Sequence, residues 1–285
     1  MPEVEYDIAD HRLVPGAVSA VGYRARGQAE GSHLGVPSAS LTFILSLDGP
    51  VVVGERAADL TAGRTTSAEV LLAGLHLRAV HVQQPSDQEG VQVAVDPLAC
   101  RALFGCPVSE LTATGGEDVL GRRGRQLWQQ VGETSTWAGR MAVVADALRQ
   151  WAGTTTTRAP RPEVVAAWRV LRRHHGAVRV EVLARSVTLS PRQLRTEFTR
   201  ELGVGPKGAA RLMRLDRVTG QLAGAVRRGT TPVLADVAAT CGYADQAHLA
   251  RDVRDLLGVP PSAWLAGERR NIQAGGHAEQ AGWAS

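Results

Sequence analysis

Between residues 190 and 261 the chain repeats itself. The first copy runs Ser190-Pro191-Arg192-Gln193-Leu194-Arg195-Thr196-Glu197-Phe198-Thr199-Arg200-Glu201-Leu202-Gly203-Val204-Gly205-Pro206. The second runs Asp245-Gln246-Ala247-His248-Leu249-Ala250-Arg251-Asp252-Val253-Arg254-Asp255-Leu256-Leu257-Gly258-Val259-Pro260-Pro261, at a constant offset of 55 residues (245 − 190). A fixed period means that one supersecondary unit is used twice. Each copy has the parts of a helix with a single buried face. Ser190 or Asp245 supplies an N-cap oxygen, and Pro191 occupies the first helical position, where its missing N–H costs nothing. Leu194, Phe198 and Leu202, spaced by four, form an apolar stripe. Gly203 and Gly258 stop the helices.

A short helix with a small residue near its end precedes each copy: Val180-Glu181-Val182-Leu183-Ala184-Arg185-Ser186, then Leu234-Ala235-Asp236-Val237-Ala238-Ala239-Thr240. Small residue, tight turn and capped helix make a helix-turn-helix pattern. The second turn has Gly242, whereas the first has Thr188. A β-branched residue disfavours positive φ, so the first turn must be built differently or be strained. At about 100° per residue, Arg192, Thr196 and Thr199 lie opposite the first stripe, with Arg195 on its flank. Ala247, Arg251 and Arg254 lie opposite Leu249 and Val253, with Gln246 and His248 beside them in the first turn. Such faces suit reading of a DNA major groove. Residues 207–222, with Leu212, Leu215, Val218 and Leu222 on one face, read as a long helix between the motifs. One chain could then set two helices in successive grooves, roughly 34 Å apart.

Charge is divided in the same way. Residues 1–157 hold 12 Arg and 17 Asp plus Glu, a net of −5, and residues 158–270 hold 19 Arg, one Lys and 10 Asp plus Glu, a net of +10. The overall +4 therefore hides a basic C-terminal part suited to a polyanion. Its charge is nearly all arginine, which can fork onto phosphates or guanine edges.

The expected fold class is α+β in two domains. Residues 1–152 read as a β-sandwich or barrel, cupin-like, followed by helices. Strands are expected at 18–23, 41–46, 75–82 and 91–95, with 41–46 and 51–53 forming a hairpin across Asp48-Gly49-Pro50. Helical patterns follow over 97–105, around Leu120 to Val131, and over 137–151. The Thr- and Pro-rich stretch 153–162 reads as a linker, residues 163–266 as all-helical, and 267–285 as a disordered tail.

The C-terminal motifs resemble the AraC/XylS family of bacterial transcription regulators. The likeness rests on Leu183-Ala184, Ser190-Pro191-Arg192, Leu194, Phe198, Gly203-Val204 with Pro206, and Arg214-Leu215. It continues through Val237-Ala238, Gly242-Tyr243 with Asp245, Leu249, Arg251, and Gly258-Val259 with Pro261. The resemblance implies base reading by Arg192, Arg195 and Thr196 in the first motif, and by Gln246, Ala247, His248 and Arg251 in the second. Ser190, Thr199, Arg200, Lys207 and Arg254 are the candidate phosphate contacts. Thr196 stands where the family often has Arg, which would alter readout. Leu249 and Val253 replace frequent aromatics, a milder core change. The N-terminal part is similar to sensor domains of such regulators, with no ligand implied.

Two function classes follow: a sequence-specific regulator, or a metal-dependent cupin-like enzyme with a basic helical tether. No His-x-His with a following Glu is present, and no titratable cluster stands out, so no catalytic residue, metal ligand or cofactor is assigned. His76 and His81 have opposite strand parity and cannot easily share a metal. His174 and His175 suit a helix C-terminus. Three cysteines, Cys100, Cys106 and Cys241, cannot form a disulfide framework and read as core residues in a reduced cytoplasm. No apolar run approaches the roughly 18 residues of a membrane span, and the acidic start of the chain is not expected to be a secretory signal. Double-stranded DNA is the expected partner. RNA polymerase, a small-molecule effector and a second copy through the N-terminal domain are the further candidates.

Overall fold

The computed structural model describes residues 3–8, 14–112 and 117–273. The chain forms two compact units. The first takes in most of the sequence through Pro160. The second holds the residues from Arg161 onward, together with two short segments from earlier in the sequence, Val36–Ala39 and His76–Ala79.

The first unit contains strands β1 (Glu3–Ile8), β2 (Ala17–Arg26), β3 (Gly31–Gly35), β4 (Leu41–Ser46), β5 (Val51–Gly54), β6 (Thr66–Ala68), β7 (Val70–Ala73), β8 (Val80–Gln84) and β9 (Gln88–Val95), with a short helix α1 (Ala57–Thr61) after β5. They form two antiparallel sheets, ordered β1-β2-β9-β4-β7 and β3-β8-β5-β6. Strand alternation sends side chains to opposite faces. Ile44, Leu71 and Ala73 from the first sheet meet Val51, Val53, Ala68, Val80 and Val82 from the second, so apolar residues fill the space between the sheets. Phe43 points the other way. Its ring lies 5.8 Å from Phe104 and 6.5 Å from Trp151, under a helical layer. That layer comprises α2 (Cys100–Phe104), α3 (Glu117–Glu133) and α4 (Trp137–Thr154). Gly121, at φ 51°, kinks α3 near its start.

Two strand expectations are corrected. Residues 41–46 and 51–53 do not form a hairpin: β4 pairs with β7 and β9, and β5 pairs with β6 and β8 in the other sheet. Asp48-Gly49-Pro50 makes a crossing between sheets, because both flanking segments bury residues in the shared interior and each finds its partners elsewhere. The strand expected over 75–82 starts only at Val80. Residues 76–79 belong to the second unit, where Leu77 and Ala79 pack on its core and the Ala79 N–H donates to the Leu256 carbonyl at 2.7 Å. Apolar alternation shows that a face is buried without showing what buries it.

The second unit is helical: α5 (Pro162–Arg173), α6 (Val180–Ser186), α7 (Pro191–Leu202), α8 (Pro206–Arg227), α9 (Leu234–Thr240), α10 (Gln246–Leu257) and α11 (Pro261–Gln273). The long helix expected over 207–222 is α8, which runs to Arg227. At 22 residues it is about 33 Å long. Helix α11 continues through 267–273, where a tail was expected, and 274–285 lie outside the described residues. Gly176, at φ 75°, lets the loop after α5 press against α8. A Cβ there would lie 2.2 Å from the Ala210 carbonyl oxygen.

In the first unit, buried Glu89 accepts hydrogen bonds from Arg24, Arg26 and Arg140, while Arg24 and Arg140 both lie over the Trp137 ring. These guanidiniums, Arg24 first, hold the Glu89 carboxyl down to about 2 despite its burial. A carboxylate whose folded value is depressed stabilises the fold above its unfolded value, and that stability is lost as pH falls toward the folded value. Thermal unfolding followed from pH 5 to pH 2 should therefore show a steep loss of stability in the wild type. Glu89→Gln should start less stable at pH 5 and show a shallower fall; an identical slope would remove Glu89 from the acid response.

Candidate nucleic-acid interface

Helices α7 and α10 are seated by the stripes anticipated in the repeat. Leu194, Phe198 and Leu202 are fully buried, as are Leu249, Val253, Leu256 and Leu257 within about 2%. In α7 the Ser190 hydroxyl accepts from the Gln193 N–H, and the Gln193 side chain accepts in return from the Ser190 N–H, a complete capping box. In α10 the Asp245 carboxylate accepts from the His248 N–H at 2.6 Å. Gly203 (φ 73°) and Gly258 (φ 75°) end both helices in the left-handed region.

The turns in front of these helices are close relatives with one difference in length. The Leu189 N–H returns to the Ala184 carbonyl at 3.0 Å, and the Tyr243 N–H returns to the Ala238 carbonyl at 3.0 Å. From Ala184 to Ser190 is six positions and from Ala238 to Asp245 is seven, so the second turn carries one more residue. Gly242 takes φ 78° and Thr188 takes φ 58°. The first turn is thus built in the same left-handed way as the second, on a residue ill suited to it.

With one face of each helix buried, the other is fixed outward. Arg192, Arg195, Thr196 and Thr199 are exposed on α7; Gln246, Ala247, Arg251 and Arg254 are exposed on α10, and His248 is half-buried. Ser190 and Lys207 are also exposed. Among the described residues, no hydrogen bond or ion pair ties the guanidiniums of Arg192, Arg195, Arg251 or Arg254 to the protein, so their donors are available to a ligand. Arg200 is different: it pairs with Glu197. The Thr196 hydroxyl donates to the Arg192 carbonyl at 3.1 Å, which leaves its methyl and acceptor lone pairs to face outward. At His248, Nδ1 accepts from the Ala244 N–H at 3.5 Å and the ring meets Tyr243 edge-on at 5.2 Å.

Matched acidic residues tie the two helices down. Glu197 and Asp252 are 55 positions apart, on the flank of each stripe. Glu197 accepts from Arg161 at 3.0 Å, at the start of α5. Asp252 is buried and accepts from Arg211 of α8 and from the Tyr243 hydroxyl at 3.1 Å, while the Arg214 guanidinium lies 5.3 Å over the Tyr243 ring. Burial, reinforced by the Asp252 carboxylate, pushes the Tyr243 hydroxyl well above its usual range, so it stays a donor. The repeat placed Asp252 on its helix, but only the three-dimensional packing brings Arg211 and Tyr243 to it.

Residues 183–267 match the family model described as a helix-turn-helix domain. The matched segment is a helix-turn-helix domain. No curated protein matches the chain. Among solved structures, an apo variant of ToxT from Vibrio cholerae strain SCE256 aligns with a TM-score of 0.50 at 9% identity, covering 93% of this chain and 97% of that one. ToxT from Vibrio cholerae O395 bound to (E)-4-(8-methylnaphthalen-1-yl)but-3-enoic acid aligns with a TM-score of 0.49 at 9% identity, covering 93% and 99%. The AraC-like transcriptional activator CuxR gives 0.29 at 13% identity, covering 74% and 85%. The first of these alignments shows a shared two-domain fold, a β-rich domain followed by the helix-turn-helix domain. Among the described residues no group of three or more His, Cys, Asp or Glu side chains could hold a metal, and no helix is long and apolar enough to cross a membrane.

Holding a β-branched residue at φ 58° costs about 1–2 kcal/mol. Thr188→Gly should remove that strain and, after the added chain entropy of glycine, raise stability by roughly 0.5–1 kcal/mol. Urea denaturation measures it. A lower midpoint for the variant would show that the threonine side chain contributes more than its backbone strain removes.

Proposed function

We propose that the chain is a sequence-specific, DNA-binding transcription regulator that places α7 and α10 in two successive major grooves of one duplex. The observation that carries this reading is the matched pair of capped helices. Each has one face sealed by a four-spaced apolar stripe and the opposite face lined by guanidiniums with no ties to the protein. Arg192, Arg195 and Thr196, with Gln246, Ala247, His248 and Arg251, read base edges. Arginine can fork onto guanine O6 and N7, and the Thr196 methyl suits the thymine methyl. Ser190, Thr199, Arg200, Lys207 and Arg254 hold phosphates, with Arg200 released from Glu197 on binding. The net +10 of residues 158–270 supplies the sequence-independent part of the affinity.

The N-terminal unit supplies the response. Having its own core between two sheets, it can take up a small organic effector, dimerise, or do both, and pass the change to the helical unit. RNA polymerase is the further partner that an activating role would require. A screen of metabolites against the full chain should find at least one class that raises its melting temperature; uniform silence would remove the effector from this reading.

DNA binding is tested by two substitutions with opposite signatures. Arg251→Ala should cost about 1–3 kcal/mol and relax preference at one base position in a selection from randomised duplexes. Lys207→Ala should weaken all sequences alike and make the salt dependence shallower by about one unit of slope. An unchanged sequence logo for Arg251→Ala, or a loss confined to one sequence for Lys207→Ala, would reverse the assigned roles. Absence of any duplex preference in the wild type would sink the regulator reading itself.

A further inference from the structure

The stretch leading into α6 carries positive charge that the outward faces of α7 and α10 do not account for. From Val164 to Val180 there are four arginines, two histidines and no carboxylate. Arg173, His174, His175 and Arg179 are exposed. Among the described residues, no hydrogen bond or ion pair ties the guanidiniums of Arg173 or Arg179 to the protein. The end of α8 offers a comparison. Arg227-Arg228 stand 55 positions after Arg172-Arg173, and the dipole favours arginine in the last turn of any helix. Beyond that pair the two copies diverge. The loop into α9 is Gly229-Thr230-Thr231-Pro232-Val233, without charge, whereas the loop into α6 is His174-His175-Gly176-Ala177-Val178-Arg179. Arg179 is the residue directly before α6, and Val233 is its counterpart before α9. The helix dipole accounts for the paired arginines but not for Arg179.

The backbone of this loop is tied down. His175 (φ 48°) and Gly176 (φ 75°) both take the left-handed conformation. In a residue with a side chain that conformation is costly and persists only where the surroundings over-determine it. The Gly176 N–H donates to the Leu171 carbonyl at 2.9 Å, and the Ala177 N–H donates to the His174 carbonyl at 2.9 Å. The Gly176 carbonyl accepts from Arg214 at 3.0 Å, the same guanidinium that lies over Tyr243. A Cβ on Gly242 would lie 3.0 Å from the Ala177 methyl. The loop that opens the first motif therefore rests on the turn of the second, three residues ahead of the Asp245 cap of α10.

We infer that this loop is a third DNA contact, in which Arg179, with Arg173, holds backbone phosphates in the stretch between the two major grooves. The inference rests on the two-groove docking proposed above. In helix-turn-helix domains the helix ahead of the turn crosses the sugar-phosphate backbone, and in a three-helix version the loop before that helix contacts the backbone. Helix α6 is the helix ahead of the first turn, and Arg179 stands at its entrance. A guanidinium can fork onto two phosphate oxygens. A loop already fixed by its own hydrogen bonds loses little freedom when it binds. Contact with phosphate sets position and adds affinity without reading sequence. The contact is one-sided, because Val233 offers the second motif no charge at the matching place.

The full chain is bound to the duplex it selects from a randomised pool, and its affinity is followed against salt concentration. Arg179→Ala should make the salt dependence shallower by about one unit of slope and leave the sequence logo unchanged. Arg173→Ala should do the same. Arg179→Lys keeps a point charge and should restore the wild-type slope. Ethylation of single phosphates should block the wild type at positions between the two grooves, and Arg179→Ala should become indifferent to at least one of them. Circular dichroism accompanies each variant, and the wild-type ethylation pattern needs no variant at all. If the wild type selects a duplex but no phosphate between the grooves matters, or if Arg179→Ala keeps its slope, the loop contact is overturned and the two-groove reading stands. A changed logo for Arg179→Ala would make it a base reader and overturn the phosphate role. A wild type that selects no duplex would overturn both.

Discussion

Helices α7 and α10 are each held by apolar side chains spaced four residues apart, and their burial decides what the opposite face can present. Burying a Leu, Val or Phe side chain is worth about 1.5–3 kcal/mol against leaving it exposed. Three such residues on α7 and four on α10 outweigh any surface ion pair, which typically contributes 0.2–1 kcal/mol. The rotation of each helix about its own axis is therefore set by Leu194, Phe198 and Leu202, or by Leu249, Val253, Leu256 and Leu257. The exposed arginines do not have to stabilise anything, so their guanidiniums can remain without protein partners.

The same logic separates two kinds of arginine in the basic unit. Arg161 and Arg211 face carboxylates at equivalent positions of the two motifs and help to fix α7 and α10. Arg192, Arg195, Arg251 and Arg254 have no such carboxylate within reach among the described residues. The two clamps differ in strength. Glu197 is only partly buried, so solvent screens its pairing with Arg161. Asp252 is buried, and Arg211, Arg214 and Tyr243 converge on it, which makes removal of any one partner costlier in the second motif. The positive charge of this unit is thus partly structural, and the remainder is what a phosphate backbone would meet.

How much was legible follows from whether the signal was local. The helices, their caps and their stops are local: Ser190 and Asp245 cap, Gly203 and Gly258 terminate, and the stripes are buried as the spacing of four requires. Strands β4 and β9 were legible for the same reason. Pairing was not. The turn at Asp48-Gly49-Pro50 has hairpin chemistry, but hairpin chemistry sets only a change of direction, and the strands on its two sides found their partners in different sheets. Residues 75–79 carry strand-like alternation because Leu77 is packed, yet it packs on the helical unit's core. Arg211 and Tyr243 could not be assigned to Asp252 from spacing, because they come from a different helix and from a turn. Of the candidate contacts, exposure is visible for all but half-buried His248, whereas the commitment of Arg200 to Glu197 and of the Thr196 hydroxyl to its own helix needed coordinates.

The two motifs also differ in a way that bears on how a duplex would meet them. Helix α7 begins at a neutral serine whose hydroxyl is engaged with Gln193, and its first-turn N–H groups carry the positive end of the helix dipole. A phosphate placed there meets no opposing charge. Helix α10 begins at Asp245, whose carboxylate already occupies the same electrostatic position and would repel a phosphate. The extra residue in the second turn lets Asp245 take a fully extended backbone (φ −161°), which aims that carboxylate at the His248 N–H. Phosphate contact by the second motif must then come from farther along the helix, where Arg254 is exposed, and not from its N-terminus. A duplex bound as proposed would meet backbone amides together with Arg200 and Lys207 at the first motif, and Arg254 at the second. The first motif's share of the affinity, with two cationic phosphate contacts against one, would then be the more sensitive to salt, because side-chain cations displace condensed counterions and neutral amides do not.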